Sequence, residues 1–330
     1  MNSFGRKFKL SIFGESHGKS VGVTIDGCPP GIRLDEADFL SDLDRRRSGA
    51  KGTTPRQESD LPNIISGVFN GFSTGAPITV VFKNEDTRSK DYSKLVEHPR
   101  PGHADFTAFK KFKGFNDYRG GGHFSARLTL ALVSAGVIAK KIIQPIEIQA
   151  NLISVHGNPN IDQAIDDAIE KGESVGGIVE CISTNLPVGL GEPFFDSIES
   201  VISHMVFAIP AIKGIEFGSG FNASQMYGSE HNDLIVDEKG RTKSNYAAGI
   251  NGGITNGNDI IFRISVKPTS SISKAQGTFN MKTGKVEQLL IGGRHDVCVA
   301  LRVPVILEAV TAIALADFFL ISGFESSSTS

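Results

Sequence analysis

A helix that is apolar on every side has no face to offer water, so it must lie inside whatever fold contains it. Residues 128–143 form such a segment: Leu-Thr-Leu-Ala-Leu-Val-Ser-Ala-Gly-Val-Ile-Ala precedes the first charge, and Lys140 and Lys141 close it. The uncharged run from Leu128 to Ala139 is 12 residues, short of the ~20 that cross a bilayer. It reads as the buried helix of a globular protein, and a chain of 330 residues can bury enough surface to need no disulfide or structural metal.

Around it the pattern alternates. Strands are expected over 7–13 and 21–25, joined by the turn GESHGKS, then a helix over 34–47 and strands over 64–69 and 78–82. Residues 83–122 show little periodicity but many Arg, His, Asp and Gly, and an irregular stretch of that length inside a compact chain is usually functional. Strands over 148–155, 177–183, 212–217 and 260–266 and helices over 161–171, 198–207 and 304–320 complete the expectation. No proline-rich linker or charge block divides the chain, which favours one α/β domain with two intertwined halves.

Formal net charge is −2, which argues against a general nucleic-acid binder. The charge is unevenly spread: residues 1–127 carry 20 Lys/Arg against 15 Asp/Glu, and residues 128–330 carry 14 against 21. A locally basic N-terminal third suits a small anionic ligand. Cys28, Cys181 and Cys298 lack C-x-x-C spacing, so neither a disulfide framework nor a zinc site is expected. The first residues, MNSFGRKFKLSIFGE, hold too short an apolar run for a secretory signal, and a reducing, cytoplasmic location is the expectation.

Two glycine motifs imitate nucleotide-binding loops. Gly14-Glu-Ser-His-Gly18-Lys19-Ser20 has three residues between its glycines where a P-loop needs four, and a strand follows. It is an ordinary turn or a site loop that exposes His17 beside Ser16. Gly218-Ser-Gly220-Phe-Asn-Ala223 matches a dinucleotide fingerprint in letters but has no long helix after it, and reads as a plain turn. Arg45, Arg46 and Arg47 are either a solvated helix end or anion ligands, with one or two able to face a pocket. In Arg100-Pro-Gly-His103-Ala-Asp105 the Pro-Gly turn brings a guanidinium fork near an imidazole, unless the segment only opens a short helix at Asp105. Tyr118-Arg-Gly-Gly-Gly-His123-Phe-Ser125-Ala-Arg127 sets three glycines ahead of the buried helix, where backbone N–H groups can meet an anion. Lys267-Pro-Thr-Ser-Ser271 offers a cation and three hydroxyls at a strand exit, and Gly293-Arg294-His295-Asp296 adds another polar trio. No H-x-x-x-H spacing supports a metal site. Several Arg/His loops in a glycine frame point to an enzyme acting on a polyanionic small molecule.

FGESHG, DGCPPG, DLDRRR, RSKDY, RPGHADF, DYRGGG, GGITNG, KPTSSI and GRHDVC occur in the order found in the chorismate synthase family, and the resemblance runs from about Phe4 to about Leu320. It implies a β-α-β sandwich over residues 1–322 with a flexible C-terminal tail at 323–330. It implies a lyase of the shikimate pathway that converts 5-enolpyruvylshikimate 3-phosphate to chorismate and phosphate by a 1,4-anti elimination. It further implies a need for reduced FMN, with NADPH as an external reductant in some settings, a homotetramer, a separate flavin reductase as partner, and no role for nucleic acid, membrane or metal. Matched position by position, His17 resembles the acid that protonates the departing phosphate or the flavin system, His103 its partner, and Asp296 a residue that helps steer a proton at flavin N5. Ser16, Arg46, Arg100 and Arg127 resemble ligands of substrate or NADPH. His123, Phe124, Ser125, Pro210, Ala211, Gly252, Lys267, Pro268, Thr269, Ser270, Ser271 and Arg294 match the family's FMN positions. Many members have Arg-Ser where this chain has His123-Phe124, and Asn-Ala where it has Pro210-Ala211. Lys51 stands where a second arginine is common, a point charge in place of a fork.

Overall fold

The computed structural model describes residues 2–56, 58–86, 95–292 and 295–324. The N-terminal half begins with strands β1 (Ser3–Phe4), β2 (Lys9–Gly14) and β3 (Ser20–Asp26) and helix α1 (Leu40–Arg46). Strands β4 (Asn63–Ser66), β5 (Val68–Phe69), β6 (Phe72–Ser73) and β7 (Ile78–Lys83) follow, then helices α2 (Asp105–Lys111) and α3 (Thr129–Ile142). The second half holds β8 (Glu147–Val155), α4 (Ile161–Glu170), β9 (Gly177–Thr184), α5 (Ile198–Val206), β10 (Ile212–Phe217) and α6 (Gly228–His231). It ends with β11 (Ile250–Asn251), β12 (Ile254–Thr255), β13 (Ile260–Val266), β14 (Gln276–Asn280), β15 (Lys285–Leu289) and α7 (Val303–Ile321).

Two antiparallel sheets, ordered β1-β2-β3-β7-β4 and β10-β13-β9-β8, enclose the long helices. In the first, alternation fixes the register: Val21, Val23 and Ile25 pair with Phe82, Val80 and Ile78, and all six are fully buried. Each such side chain contributes roughly 1.5–3 kcal/mol of hydrophobic stabilisation. Helix α3 packs on β2 and β3, α7 packs on β8 and β9, and the two helices pack on each other. This is the expected β-α-β sandwich, and residues 129–139 of α3 are all buried, as a helix without a polar face requires.

Helix α7 behaves in the same way. With the turn before it, Val299–Ile321 is long and apolar enough to cross a membrane, yet 83% of its most apolar window is buried inside the fold. Its two charges are answered internally. Glu308 accepts from Arg45 at 2.8 and 2.6 Å, from Lys140 at 3.0 Å and from the Ala150 N–H at 3.1 Å. Asp317 accepts the backbone N–H groups of Arg6, Lys7 and Phe8 at 2.6–3.0 Å and so anchors the start of the first sheet.

Some local expectations change. The helix expected over 34–47 is a 3-10 turn, Glu36–Phe39, capped by Asp35, followed by α1. The strand expected over 64–69 breaks at Gly67, whose φ of +83° separates β4 from β5. The irregular stretch contains α2, which begins at Asp105. The hairpin β14–β15 has no counterpart among the expected strands. Its sequences, QGTFN and KVEQL, are short and polar, and its inward-facing Leu289 packs with Leu95 and Ile291 apart from the main core. Helix α7 ends at Ile321, and residues 325–330 lie outside those described.

Helices α3 and α7 approach closely at Gly136, where an added Cβ would lie 2.4 Å from the Ala309 Cβ and 2.5 Å from its Cα. Helix propensity alone makes Gly136→Ala stabilising by about 1 kcal/mol. Overpacking against backbone costs ~1–3 kcal/mol and wins. Urea denaturation of Gly136→Ala should therefore show a net loss of stability, and a gain would disprove the tight helix crossing.

Candidate active site

A cleft of about 560 Å³ opens where α1 ends, where β13 exits and where α3 and α7 begin. Eight lysines and arginines line it against three carboxylates, Glu58, Asp60 and Asp296, so its field favours an anion. Arg127 precedes α3, and Arg302 is the N-cap of α7, and both line the cleft. The two core helices thus direct their partially positive N-termini toward it.

One wall carries His103. The Arg100 guanidinium grips Asp105 with two hydrogen bonds, Nε to Oδ2 at 2.7 Å and Nη2 to Oδ1 at 2.8 Å. His103 Nδ1 lies 2.6 Å from Asp105 Oδ1, and Arg100 Nη2 lies 3.0 Å from Nδ1 and 3.1 Å from Nε2, so the imidazole is held by both members of the pair. Burial raises the Asp105 proton affinity, but hydrogen bonds from Arg100 and His103 and their charges outweigh it and hold the carboxyl well below its usual range. Asp105 opens α2, and the turn before it sets Arg100 Nη2 3.0 Å from His103 Nδ1.

The triglycine turn separates His103 from His17. All three glycines have positive φ, between +54° and +80°, and only glycine fits there without strain. A Cβ on Gly120 would lie 2.5 Å from His17 Cδ2 and 2.9 Å from Ser16 Oγ, and one on Gly121 would lie 3.5 Å from His103 Cε1 and Nε2. The histidines therefore flank adjacent glycines. Ser16 and His17 are buried behind Gly120 rather than on the cleft wall, and Arg56 connects them to it, donating to Ser16 Oγ at 2.9 Å and to Ser16 O at 3.2 Å. Burial, then the charges of Arg56 and Arg119, lowers the His17 pKa against the opposing pull of Asp117 and Glu58.

The floor is a buried ion cluster. Asp60 accepts from Arg46 at 2.6 Å and from Arg127 at 2.9 Å. Arg127 also donates to Asn84 Oδ1 and to Lys83 O. Burial, reinforced by Arg302 and Arg127 and opposed by Asp60, lowers the Arg46 pKa to about 10. Nε and Nη1 of Arg46 are buried without a protein partner. Asp296 accepts the Thr54 N–H at 2.9 Å and Arg302 Nη1 at 3.4 Å, and Arg302 Nε donates to Arg46 O at 2.9 Å.

Most of the other expected residues gather in the same cleft, and the Lys267–Ser271 loop adjoins the His103 wall: Arg100 Nη1 donates to Ser271 Oγ at 3.3 Å and Ser270 Oγ donates to Gly102 O at 2.7 Å. Phe124 and Ser125, Pro210 and Ala211, and Lys267, Thr269, Ser270 and Ser271 all line the cleft, as does His123. Lys267 Nζ donates to Ser270 Oγ at 2.8 Å, and Thr269 Oγ1 is buried without a partner. Burial and then Lys213 lower the Lys267 pKa. Pro268 lies between lining residues without lining the cleft itself. Gly252 is carried elsewhere, to the tight β11–β12 turn with φ +60° and nothing within 4 Å of an added Cβ. Lys51 points away and pairs with Asp166 of α4. Arg294 lies outside the described residues. Among the described residues, no group of three or more His, Cys, Asp or Glu could hold a metal ion.

Arg56, Glu58, Asp60, His295 and Arg302 complete the cleft and were not among the residues expected from sequence. Glu58 and Asp60 sit in an aperiodic loop, and their cationic partner Arg127 is far along the chain. Of these, only His295 carried a signal, as the neighbour of Asp296 in GRHD.

Asp60 gives a stability test. Burial raises its pKa, but Arg46 and Arg127 prevail and lower it below the unfolded value of 3.8. Its stabilisation is therefore full above pH 3.8 and fades as pH falls through the lower folded value. Asp60→Ala strands two buried guanidinium groups and should cost ~3–5 kcal/mol at pH 7 in urea denaturation. It should also flatten the acid limb of stability, and an unchanged denaturation midpoint would refute the cluster.

The family model described as chorismate synthase matches residues 8–320. A chorismate synthase of Chitinophaga pinensis is 64% identical over 322 residues, covering 97% of this chain and 97% of the relative. One from Methanocaldococcus jannaschii is 40% identical over 369 residues, covering 98% and 97%. A solved structure described as "Crystal Structure of Chorismate Synthase" superposes with a TM-score of 0.72 at 26% identity, covering 98% of this chain and 95% of that one. The chain belongs to the chorismate synthase family of carbon–oxygen lyases.

Proposed function

We propose that the cleft binds 5-enolpyruvylshikimate 3-phosphate and eliminates its phosphate in the 1,4-anti sense, giving chorismate for the shikimate pathway, with reduced FMN held in the same cleft. The observation that carries this reading is Arg46, wholly buried at the cleft floor with two nitrogens lacking any protein partner. A buried, half-satisfied guanidinium is costly unless an anion completes it. The substrate brings a phosphate and two carboxylates to a site lined by eight cations. Sheltered charge-assisted bonds are worth ~1.5–3 kcal/mol each.

The chain's residues divide the work. Arg46, Arg100 and Arg127 hold the anionic groups and stabilise charge on the departing phosphate. His17, set behind Gly120, is the proton source for the leaving phosphate oxygen or the flavin system. In the free protein burial, then the charges of Arg56 and Arg119, lower its pKa, and a bound anion offsets the charge contribution and raises its proton affinity. His103, oriented by Asp105 and Arg100, is the second proton-exchanging group. Asp296 is pinned by Thr54 and Arg302 and holds the proton balance on its side of the cleft.

The Lys267–Ser271 part of the lining suits a flavin mononucleotide. Lys267 and the hydroxyls of Thr269, Ser270 and Ser271 offer a cation and donors, and the bare Thr269 Oγ1 lacks a partner that a ligand can supply. Reduced flavin, when bound, lends electron density transiently with no net redox change. Lys51, turned toward Asp166, supports an external source of reduced flavin over NADPH bound here. Exposed Phe194, Phe195 and Phe221, each over 80% accessible, support self-association as a homotetramer. Three free, buried cysteines accord with a reducing cytoplasm.

Anaerobic incubation with the enolpyruvyl substrate and dithionite-reduced FMN should produce chorismate absorbance. Turnover with NADPH and oxidised FMN alone would overturn the external-reductant reading. His17→Ala and His103→Ala should each lower kcat by ~10²–10⁴ while retaining substrate binding by equilibrium dialysis. Because His17 must carry its proton and its free-protein pKa lies below 6.5, kcat/KM should decline as pH rises through that lower value. The corresponding limb of kcat should lie at higher pH, and coincident limbs would contradict the charge argument.

A further inference from the structure

His123 lines the cleft, yet its ring nitrogens are directed at the backbone and an amide on the far side. Nδ1 lies 2.8 Å from Gly14 O and Nε2 lies 3.1 Å from Asn2 Oδ1. Gly14 ends β2 and opens the loop that carries Ser16 and His17. A second bond runs parallel to the first, from the Ser16 N–H to Gly122 O at 3.1 Å. The two together strap the His17 loop to the triglycine turn. Opposing them is the Gly120–His17 contact, where no added carbon fits. The strap pulls the two loops together, and that contact stops them at one separation.

We infer that His123 is a positioning residue for His17, acting through Nδ1–H donation to Gly14 O rather than as a side-chain ligand of a phosphate. A ring whose two nitrogens are both engaged has no free donor for an anion. The inference rests on the proton-donor role proposed for His17 and adds the residue that fixes its depth. Misplacement of a reacting group by about 1 Å can cost ~10²-fold in rate, so a loosened strap should be visible in turnover.

The test uses geometry that separates close relatives. Asn at position 123 places an amide nitrogen near Nδ1, and Gln places one near Nε2. In protein labelled with ¹³C-histidine, the His17 titration is followed by NMR without substrate or flavin. Among the described residues, the charges acting most strongly on His17 are those of Arg56, Arg119, Asp117 and Glu58, and none is altered. Loss of burial is then what moves its midpoint. His123→Ala and His123→Gln should move that midpoint upward toward 6.5 and lower kcat roughly tenfold. His123→Asn should restore both, with thermal melting confirming that each variant folds. If Asn and Gln behave alike, the strap is refuted. Weakened FMN binding with an unmoved His17 titration would also refute it, since His123 would then be a direct ligand. Should His17→Ala itself keep full turnover, the proton-donor role falls, and the titration still decides the strap by itself.

Discussion

Four guanidinium groups, Arg46, Arg56, Arg127 and Arg302, share three carboxylates, Glu58, Asp60 and Asp296, in the cleft, and the rest of the structure is arranged around that imbalance. Arg46 and Arg127 divide Asp60, while Arg302 takes Asp296 weakly and braces itself on the Arg46 carbonyl. Burying like charges at this proximity is unfavourable by several kcal/mol per ion unless each is matched. A protein can hold such a cluster only if its scaffold is stable enough to offset it. The stability comes from the two sheets and from α3 and α7, whose close crossing at Gly136 and Ala309 leaves no slack.

The core helices contribute beyond packing. Arg127 and Arg302 occupy the starts of α3 and α7, where the helix dipole disfavours a cation. Their placement worsens the electrostatics of the free protein and improves those of a protein holding an anion. The same logic applies to His17, whose proton affinity is lowered by Arg56 and Arg119 and by burial. An anionic ligand of the kind proposed would offset the penalty at the helix starts directly. It would bear on His17 through Arg56, which lines the same cleft as Arg46, Arg100 and Arg127.

How much of this was legible in sequence depends on the range of the interaction. The core strands and α3 follow from alternation and from an unbroken apolar run, both local patterns. The Arg100–His103–Asp105 cluster spans six residues, and a turn between its members gave it away. Asp60 is different. It sits in an aperiodic loop, and its role appears only when Arg127, 67 residues later, folds onto it. The contact of His17 with Gly120 is equally hidden, because a glycine's lack of a side chain leaves no letter that names its neighbour. Gly252 shows the converse: motif order groups it with the site, while hairpin β11–β12 carries it outside the cleft of its own chain.

Position 211 shows why the wall beside Lys267 must be rigid before any ligand arrives. Ala211 has φ +75°, a conformation that costs a non-glycine residue roughly 1 kcal/mol or more. Glycine would remove that cost, yet a methyl group is retained at the cleft surface. Two features hold the strained backbone in place. Pro210 fixes the preceding φ, and the Lys267 N–H donates to Ala211 O at 2.9 Å. That second bond ties the start of the Lys267–Ser271 loop to the residue before β10. Strain that is over-determined in this way restricts the loop to one arrangement. It presents the lysine and hydroxyls at fixed positions and spares the ligand the entropy of ordering them.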